Sequence, residues 1–588
     1  MEHAASNVSF KDELRLWAVS HNIPQNAVTD LLGILRSHTS HLLPKDCRTL
    51  LKTPRAIDIS PLGNGSYCHF GLTSVIGQMY HERKINNMES SNIELLINID
   101  GLPISKSSSA ALWPILCSDD TFTKRVYIIG AFFGKQKPAK ANEYLQPFVE
   151  EVKALINNGF EIDNRVISVH LKALICDAPA KAFVLSVKGH GGYNSCTKCT
   201  IEGEYIEKCV CFPYIDRNIS LRTDKDFLND KYEDFQVAST VLTQIPNFGP
   251  ISNIPLDYMH LICLGVTKKL IMLWLKGYPL TIRLSSLNIN HISSKLVSFK
   301  ASCPKEFVRK PRPILEASNW KATEFRNFLL YTGPLVLKDV LRRDMYTNFL
   351  TLHVAVSILT SPELINDTNL EYAHSLLKHF VQTFEIIYGK DKMSHNVHNL
   401  LHITEDVRKF GPLDNFSAFR FENYMAKIKR TLRKSDKPLQ QLYNRYAEIE
   451  ASVYECKEER LCLQKVHTEG PLKSTEYSYT QYKICRYQNF YINCTNGKDN
   501  CFMLKDGTTV IIQNIVQDNE DEKIFIIGEK MTRTDNFYTS PCNSLDLDIA
   551  VAEPTDHTLF SWSLDELKSK LWRLAYGGNY VSLPLLHF

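Results

Sequence analysis

Two apolar runs that each end on an aspartate constrain this chain more than any other feature. Glu94-Leu-Leu-Ile-Asn-Ile-Asp100 reads as a buried strand closing on an acid. Arg165-Val-Ile-Ser-Val-His-Leu-Lys-Ala-Leu-Ile-Cys176 reads as a second, followed at once by Asp177. Residues 111–118 and 125–133 between them are further strand candidates. Residues 142–158 form an amphipathic helix with Tyr144, Phe148, Val152, Leu155 and Ile156 on one face. Pro179 is placed to open a helix running to about residue 188.

The order strand, strand, strand, helix, strand, helix is the α/β order of an RNase H-like fold. In that fold the first and fourth strands lie side by side, so Asp100 and Asp177 would share one edge. The predicted architecture is an RNase H-like core with a large, mainly helical insertion, an N-terminal helical segment and a small β-rich C-terminal domain. The expected boundaries are a helical segment over 1–45, a connector over 46–90 and the first part of the core over 91–189. The insertion follows over 190–394, the last part of the core over 395–450, and the β-rich domain over 475–588. Residues 417–448 read as one long amphipathic helix. A chain of 588 residues exceeds what one core organises, which fits several units.

Composition is that of an ordinary globular protein, with 44% hydrophobic and 22% charged residues. No run is long and apolar enough to span a bilayer, and acids and bases occupy the N-terminus where a signal peptide would be apolar. The expectation is an intracellular protein with no membrane partner. Sixteen cysteines in that setting are read as thiols rather than a disulfide framework. A net charge of +4 says little, but Lys427, Lys429, Arg430, Arg433, Lys434 and Lys437 form a basic run. By itself such a run is more often a solvated helix face. Gly130-Ala-Phe-Phe-Gly-Lys135 has the wrong spacing for a phosphate loop and is discounted.

Paired strand-terminal aspartates suggest metal-assisted phosphoryl transfer, in which carboxylates hold two Mg²⁺ or Mn²⁺ ions about 3.5–4 Å apart. A lone aspartate at a strand end is more often a turn or cap residue, so a third acid is needed. Glu422 is the candidate, near the start of a helix that Phe419, Phe421 and Tyr424 would anchor. The basic residues after it would then meet DNA phosphates. Cys196-x-x-Cys199 has the spacing of half a zinc site. Its other ligands would be Cys209 and Cys211, or two of His395, His398 and His402; the last two lie one helical turn apart. Asp257-x-x-His260 reads either as a helix start capped by Asp257 or as a support for the acidic site.

Five segments taken in order resemble the transposases of CACTA (En/Spm-like) DNA transposons, most of all their animal transposase-domain relatives. They are Leu95-Leu-Ile-Asn-Ile-Asp-Gly-Leu-Pro103, Leu174-Ile-Cys-Asp-Ala-Pro-Ala-Lys181, Gly192-Tyr-Asn-Ser-Cys-Thr-Lys-Cys-Thr200, Leu256-Asp-Tyr-Met-His260, and the stretch from Phe410-Gly-Pro-Leu to Phe421-Glu-Asn-Tyr-Met425. The resemblance covers about residues 90–445. It implies a DDE triad of Asp100, Asp177 and Glu422, and a structural zinc held by Cys196, Cys199, His398 and His402. It further implies strand cleavage at transposon ends and transfer into target DNA. The partners it implies are DNA, a second copy of the chain, and a separate end-binding protein encoded by the same element. The expected location is the nucleus. Two other readings remain: a domesticated DNA- or protein-binding derivative without catalysis, and a plain nuclease, which would not need so large an insertion.

Overall fold

The structure, a computed structural model, describes residues 9–587 apart from 89, 106–108, 121–124, 217–218, 435, 453–460 and 473–477. It is a mixed α/β chain that divides into two units. The first comprises residues 1–190, 221–257 and 417–458; the second comprises 191–220, 258–416 and 459–588.

The first unit is built on a sheet whose central strands are the apolar runs of the sequence. Its strands are β1 (Ser60–Leu62), β2 (Gly65–His69), β3 (Asn92–Ile99), β4 (Leu102–Pro103), β5 (Ala111–Asp119), β6 (Val126–Gly134), β7 (Phe160–Ile162) and β8 (Arg165–Ile175). They pair in the order β1-β2-β6-β5-β3-β8-β7, with β4 added to β5. β3 and β8 are parallel, and the other pairings are antiparallel. β3, β5 and β6 are apolar nearly throughout because both faces are covered. The helices α1 (Phe10–Ser20), α2 (Gln25–His38), α3 (Cys47–Leu51) and α4 (Leu72–Ile85) precede α5 (Ala141–Asn158), the crossover helix before β8. It buries Tyr144, Leu145, Phe148, Val149, Val152 and Leu155 in the sheet's core. It stops at Gly159, where φ is +73° and a side chain would strike Val166.

Several expectations need correction. Residues 46–90 are not a connector: α3 completes a small core with α1 and α2, β2 extends the sheet beside β6, and α4 buries Leu72, Val75, Ile76 and Met79. The hairpin strands are short and half-polar, which hid them. The insertion does not form one body, because 221–257 packs on the sheet through Phe227, Phe235, Val241, Leu242, Ile245, Phe248, Ile251 and Ile254. That segment runs mostly as loops and so lacks a periodic pattern. The single helix expected over 417–448 is two, Phe419–Thr431 and Pro438–Glu450, separated where Lys437 takes a φ of 48° and Pro438 starts the second.

The second unit combines helices with an antiparallel sheet. Arg343–Thr360 is buried almost all round, and Asp367–Tyr388 packs beside it. A hairpin of β9 (Glu204–Ile206) and β10 (Cys209–Cys211) lies in the cysteine-rich segment. The β-rich region starts earlier than residue 475, with β11 (Leu461–His467), followed by β12 (Tyr479–Tyr487) and β13 (Phe490–Asn493). Then come β14 (Cys501–Leu504), β15 (Thr509–Asp518), β16 (Ile524–Asn536), β17 (Ala550–Ser563), β18 (Leu567–Tyr576) and β19 (Asn579–Pro584). The pairings β14–β15, β15–β16, β16–β17, β17–β19, β19–β18 and β18–β14 close a ring. Closure leaves these strands no open edge, and register shifts in β15 and β16 supply the bends. Alternate residues of β14 serve two cores, Cys501 and Met503 in one, Phe502 and Leu504 in the other. No described helix is long and apolar enough to cross a membrane.

Candidate metal-binding sites

The parallel ladder of β3 and β8 pairs Asn98 with Ile175, and Asn98 Nδ2 donates to the Ile175 carbonyl at 2.9 Å. Asp100 and Asp177 each lie two residues further on, so they leave neighbouring strands in step. Asp100 Oδ1 accepts from the Gly101 amide at 2.6 Å. Asp177 is the N-cap of α6 (Ala178–Leu185), its Oδ1 accepting from the Ala180 amide at 2.7 Å. Both are half-buried. The buried Cys176 thiol, next to Asp177 in the chain, is raised far above its usual pKa, first by burial and then by the charge of Asp177, with a smaller push from Asp100.

Glu422 sits in the first turn of the Phe419–Thr431 helix, where the helix dipole favours a negative charge. Phe421, Met425 and Ile428 are the buried face of that helix. A carboxylate oxygen of Glu422 and one of Asp100 come within 4.8 Å of each other. Asp177 does not join them in a cluster in which every oxygen is that close to every other. Acids that hold two cations need not all converge, since one bridging carboxylate can share each cation with a different partner.

Asp257 is buried and its Oδ1 accepts from the Ala418 amide at 2.7 Å. It therefore caps the helix that carries Glu422. The helix after it opens at Met259, with Tyr258 at the N-cap. His260 lies half-buried in that helix, Met259–Thr267, and belongs to the second unit.

The basic run divides by its contacts. Lys427, Lys429, Arg430, Arg433 and Lys434 are all surface residues. Arg433 Nη2 nevertheless donates to the Asn22 carbonyl and Asn22 Oδ1 at 2.7 Å each and to the Ile23 carbonyl at 3.1 Å, tying down the turn between α1 and α2. Lys429 Nζ donates to the Pro103 carbonyl at 2.8 Å, and Arg430 Nε to its own helix at Ala426. Among the described residues, Lys427 and Lys434 make no ion pair.

A second constellation lies within the second unit. The Sγ atoms of Cys196 and Cys199 are 3.6 Å apart, Cys199 Sγ is 3.3 Å from His398 Nε2, and His398 Nε2 is 3.3 Å from His402 Nε2. All four offer a ligand atom within 4.8 Å of the others. A tetrahedral ion with bonds of about 2.3 Å to sulfur and about 2.0–2.1 Å to nitrogen spaces its ligand atoms at about 3.3–3.8 Å. The donor set therefore fits such an ion. Both thiols and His398 are buried. Burial would raise the Cys196 thiol, but the Cys199 hydrogen bond and the charges of His402 and His398 outweigh it and hold the pKa well below normal.

Local structure explains how the two halves meet. The Phe212 amide donates to the Met393 carbonyl at 2.7 Å, and the Phe212 ring stacks on His398 with centroids 5.7 Å apart. The Lys198 amide points at Cys196 Sγ at 3.4 Å, and Lys198 Nζ pairs with Asp406 at 2.7 Å. Cys209 and Cys211 stay outside: Cys209 is exposed, and the Cys211 thiol faces the carbonyls of Cys209 and Asp391. His395 contacts the Ser195 carbonyl and Asn399 instead. No spacing or pattern pointed to Asn399, whose Oδ1 lies 3.3 Å from Cys196 Sγ, or to the Lys198–Asp406 pair.

Residues 466–585 match a family described as a domain of unknown function (DUF8592), a stretch that covers the closed barrel and none of the acids or Cys/His residues above. No curated protein matches the chain.

Proposed function

We propose that the chain is a DDE-type transposase that cleaves and joins DNA strands, with Asp100, Asp177 and Glu422 as its metal-holding acids. The observation that carries this reading is the approach of Glu422 to Asp100, from a distant part of the chain, at the edge where Asp177 also emerges. The sheet order supports an RNase H-like assignment: three antiparallel strands, a crossover helix, and a fourth strand parallel to the first. In this reading two Mg²⁺ or Mn²⁺ ions, when bound, would activate the attacking oxygen and stabilise the leaving one. The chain's own part is to keep the three carboxylates at fixed separation, with the Glu422 helix seated by Phe421 and capped by Asp257. Lys427 and Lys434 would meet the DNA backbone. The Cys196, Cys199, His398 and His402 set would hold one structural zinc. Action in the nucleus and pairing of two copies across two DNA ends belong to the same proposal.

The test is nicking of DNA by purified protein in Mg²⁺ or Mn²⁺, beside Asp100→Ala, Asp177→Ala and Glu422→Ala variants whose circular dichroism matches the wild type. The reading expects cutting by the wild type and none by the variants. Cutting that survives Glu422→Ala would remove Glu422 from the site. Folded wild type that binds DNA but leaves it intact would favour a domesticated binding protein.

A further inference from the structure

A pair of cations about 3.5–4 Å apart tolerates little error in the acids that hold them. The ladder of β3 and β8 sets the spacing of Asp100 and Asp177. Glu422 is on no strand, so its position relative to Asp177 must come from other bonds.

Those bonds form a chain. Lys181 lies on α6, the helix that Asp177 caps, and its side chain is buried, with Nζ donating to the Pro255 carbonyl at 2.9 Å. The segment containing Pro255 is fastened to β8 twice more: the Leu174 amide donates to the Asn253 carbonyl at 2.9 Å, and Asn253 Nδ2 donates to the Lys172 carbonyl at 2.8 Å. Two residues beyond Pro255, buried Asp257 receives the Ala418 amide. Ala418 is the N-cap of the Glu422 helix and has no side chain able to cap it. Ser417 Oγ accepts from the Phe419 amide at 3.4 Å, while the Ala418 amide is held from a remote segment, and that segment is held by the helix after Asp177.

We propose that Lys181 and Asp257 are positioning residues that fix Glu422 relative to Asp177 through the 253–257 segment. This rests on the metal-holding role of the acids proposed above. Neither residue needs to touch a cation or DNA. Each acts by holding backbone: Lys181 by a charged bond to a carbonyl, Asp257 by a charged bond from an amide, both in places where water competes poorly.

The test is Mn²⁺ binding to the zinc-loaded full chain, measured by calorimetry without DNA. The variants are Asp100→Ala, Asp257→Leu, Asp257→Asn and Lys181→Met. Asp257→Asn keeps an oxygen that accepts the Ala418 amide, and Lys181→Met keeps most of the buried stem. The expected result is loss of binding in Asp100→Ala, weakening of about 10–100-fold in Asp257→Leu and Lys181→Met, and recovery toward wild type in Asp257→Asn. The Lys181→Met/Asp257→Leu double variant should bind no more weakly than the worse single one, because both cut the same chain. Should Asp257→Leu not fold, Lys181→Met and the Asn variant still decide the matter. Wild-type affinity in folded Lys181→Met overturns the proposal. Wild-type Mn²⁺ binding that Asp100→Ala leaves unchanged overturns the acidic site itself, and the positioning role with it.

Discussion

Cys199 Sγ lies 3.3 Å from His398 Nε2, although the two residues come from segments separated by most of the insertion. Thiol and imidazole approach this closely, with a second thiol and a second imidazole beside them, in the way a shared cation requires. The purified chain should contain one zinc ion. Cys199→Ser or His398→Ala should lower its zinc content and its unfolding midpoint, with a loss of several kcal/mol on the scale of structural zinc sites. Cys209→Ser should keep the metal. Metal analysis and thermal melts of the three variants check this, and full zinc content in Cys199→Ser would rule the site out.

Lys427, Lys434 and Arg433 are neighbours in sequence but have different surroundings. Lys427→Ala and Lys434→Ala should each weaken duplex binding and reduce the slope of log K against log salt by about one, without shifting the melt. Arg433→Ala removes three hydrogen bonds to the Asn22–Ile23 turn, so it should destabilise α1 and α2 by about 1–3 kcal/mol. Anisotropy titrations at several salt concentrations, paired with melts, separate the two outcomes. A changed salt slope with an unchanged melt for Arg433→Ala would make it a DNA contact instead.

His353 is fully buried, with Nδ1 facing the Leu329 carbonyl at 2.9 Å and Nε2 facing the Tyr538 hydroxyl at 3.1 Å. Burial pushes its pKa down to about 4, against a small opposing effect of the Leu329 carbonyl. The folded state thus keeps it neutral where the unfolded chain protonates it. Its contribution to stability is intact above about pH 6.5 and is lost as pH falls from there toward about 4, reaching about 2 kcal/mol at pH 5. Denaturant unfolding at pH 7 and pH 5 should show this loss in wild type. His353→Gln should be less stable at pH 7 but lose less between the two pH values. Equal losses in both proteins would show that other groups carry the acid sensitivity.

Much of this was legible from local pattern. The apolar run 94–99 identifies a buried strand because both faces of a central strand are covered, and 165–175 identifies another because its apolar residues alternate inward before the buried stretch 173–175. The amphipathic stripe of residues 142–158 identifies the crossover helix because one face packs on the sheet, and the two residues between Cys196 and Cys199 bring the two thiols side by side because so short a spacing itself sets the geometry. The hairpin at 60–69 and the segment 221–257 were missed because short edge strands and loops bury side chains without a repeating period.

By itself, then, the sequence determined which stretches become strands and helices, that Asp100 and Asp177 end two of those strands, and that cysteines and histidines occur in ligand-like pairs. Only the tertiary structure decided which distant partners meet. It brought Glu422 rather than another acid to Asp100, chose His398 and His402 over Cys209 and Cys211, turned Asp257 to a helix far along the chain, and closed β14–β19 into a ring. Residue spacing encodes a neighbour only when the chain between is short and regular. Across a long insertion, the neighbours are set by which buried faces pack together and which buried polar groups must still find a partner.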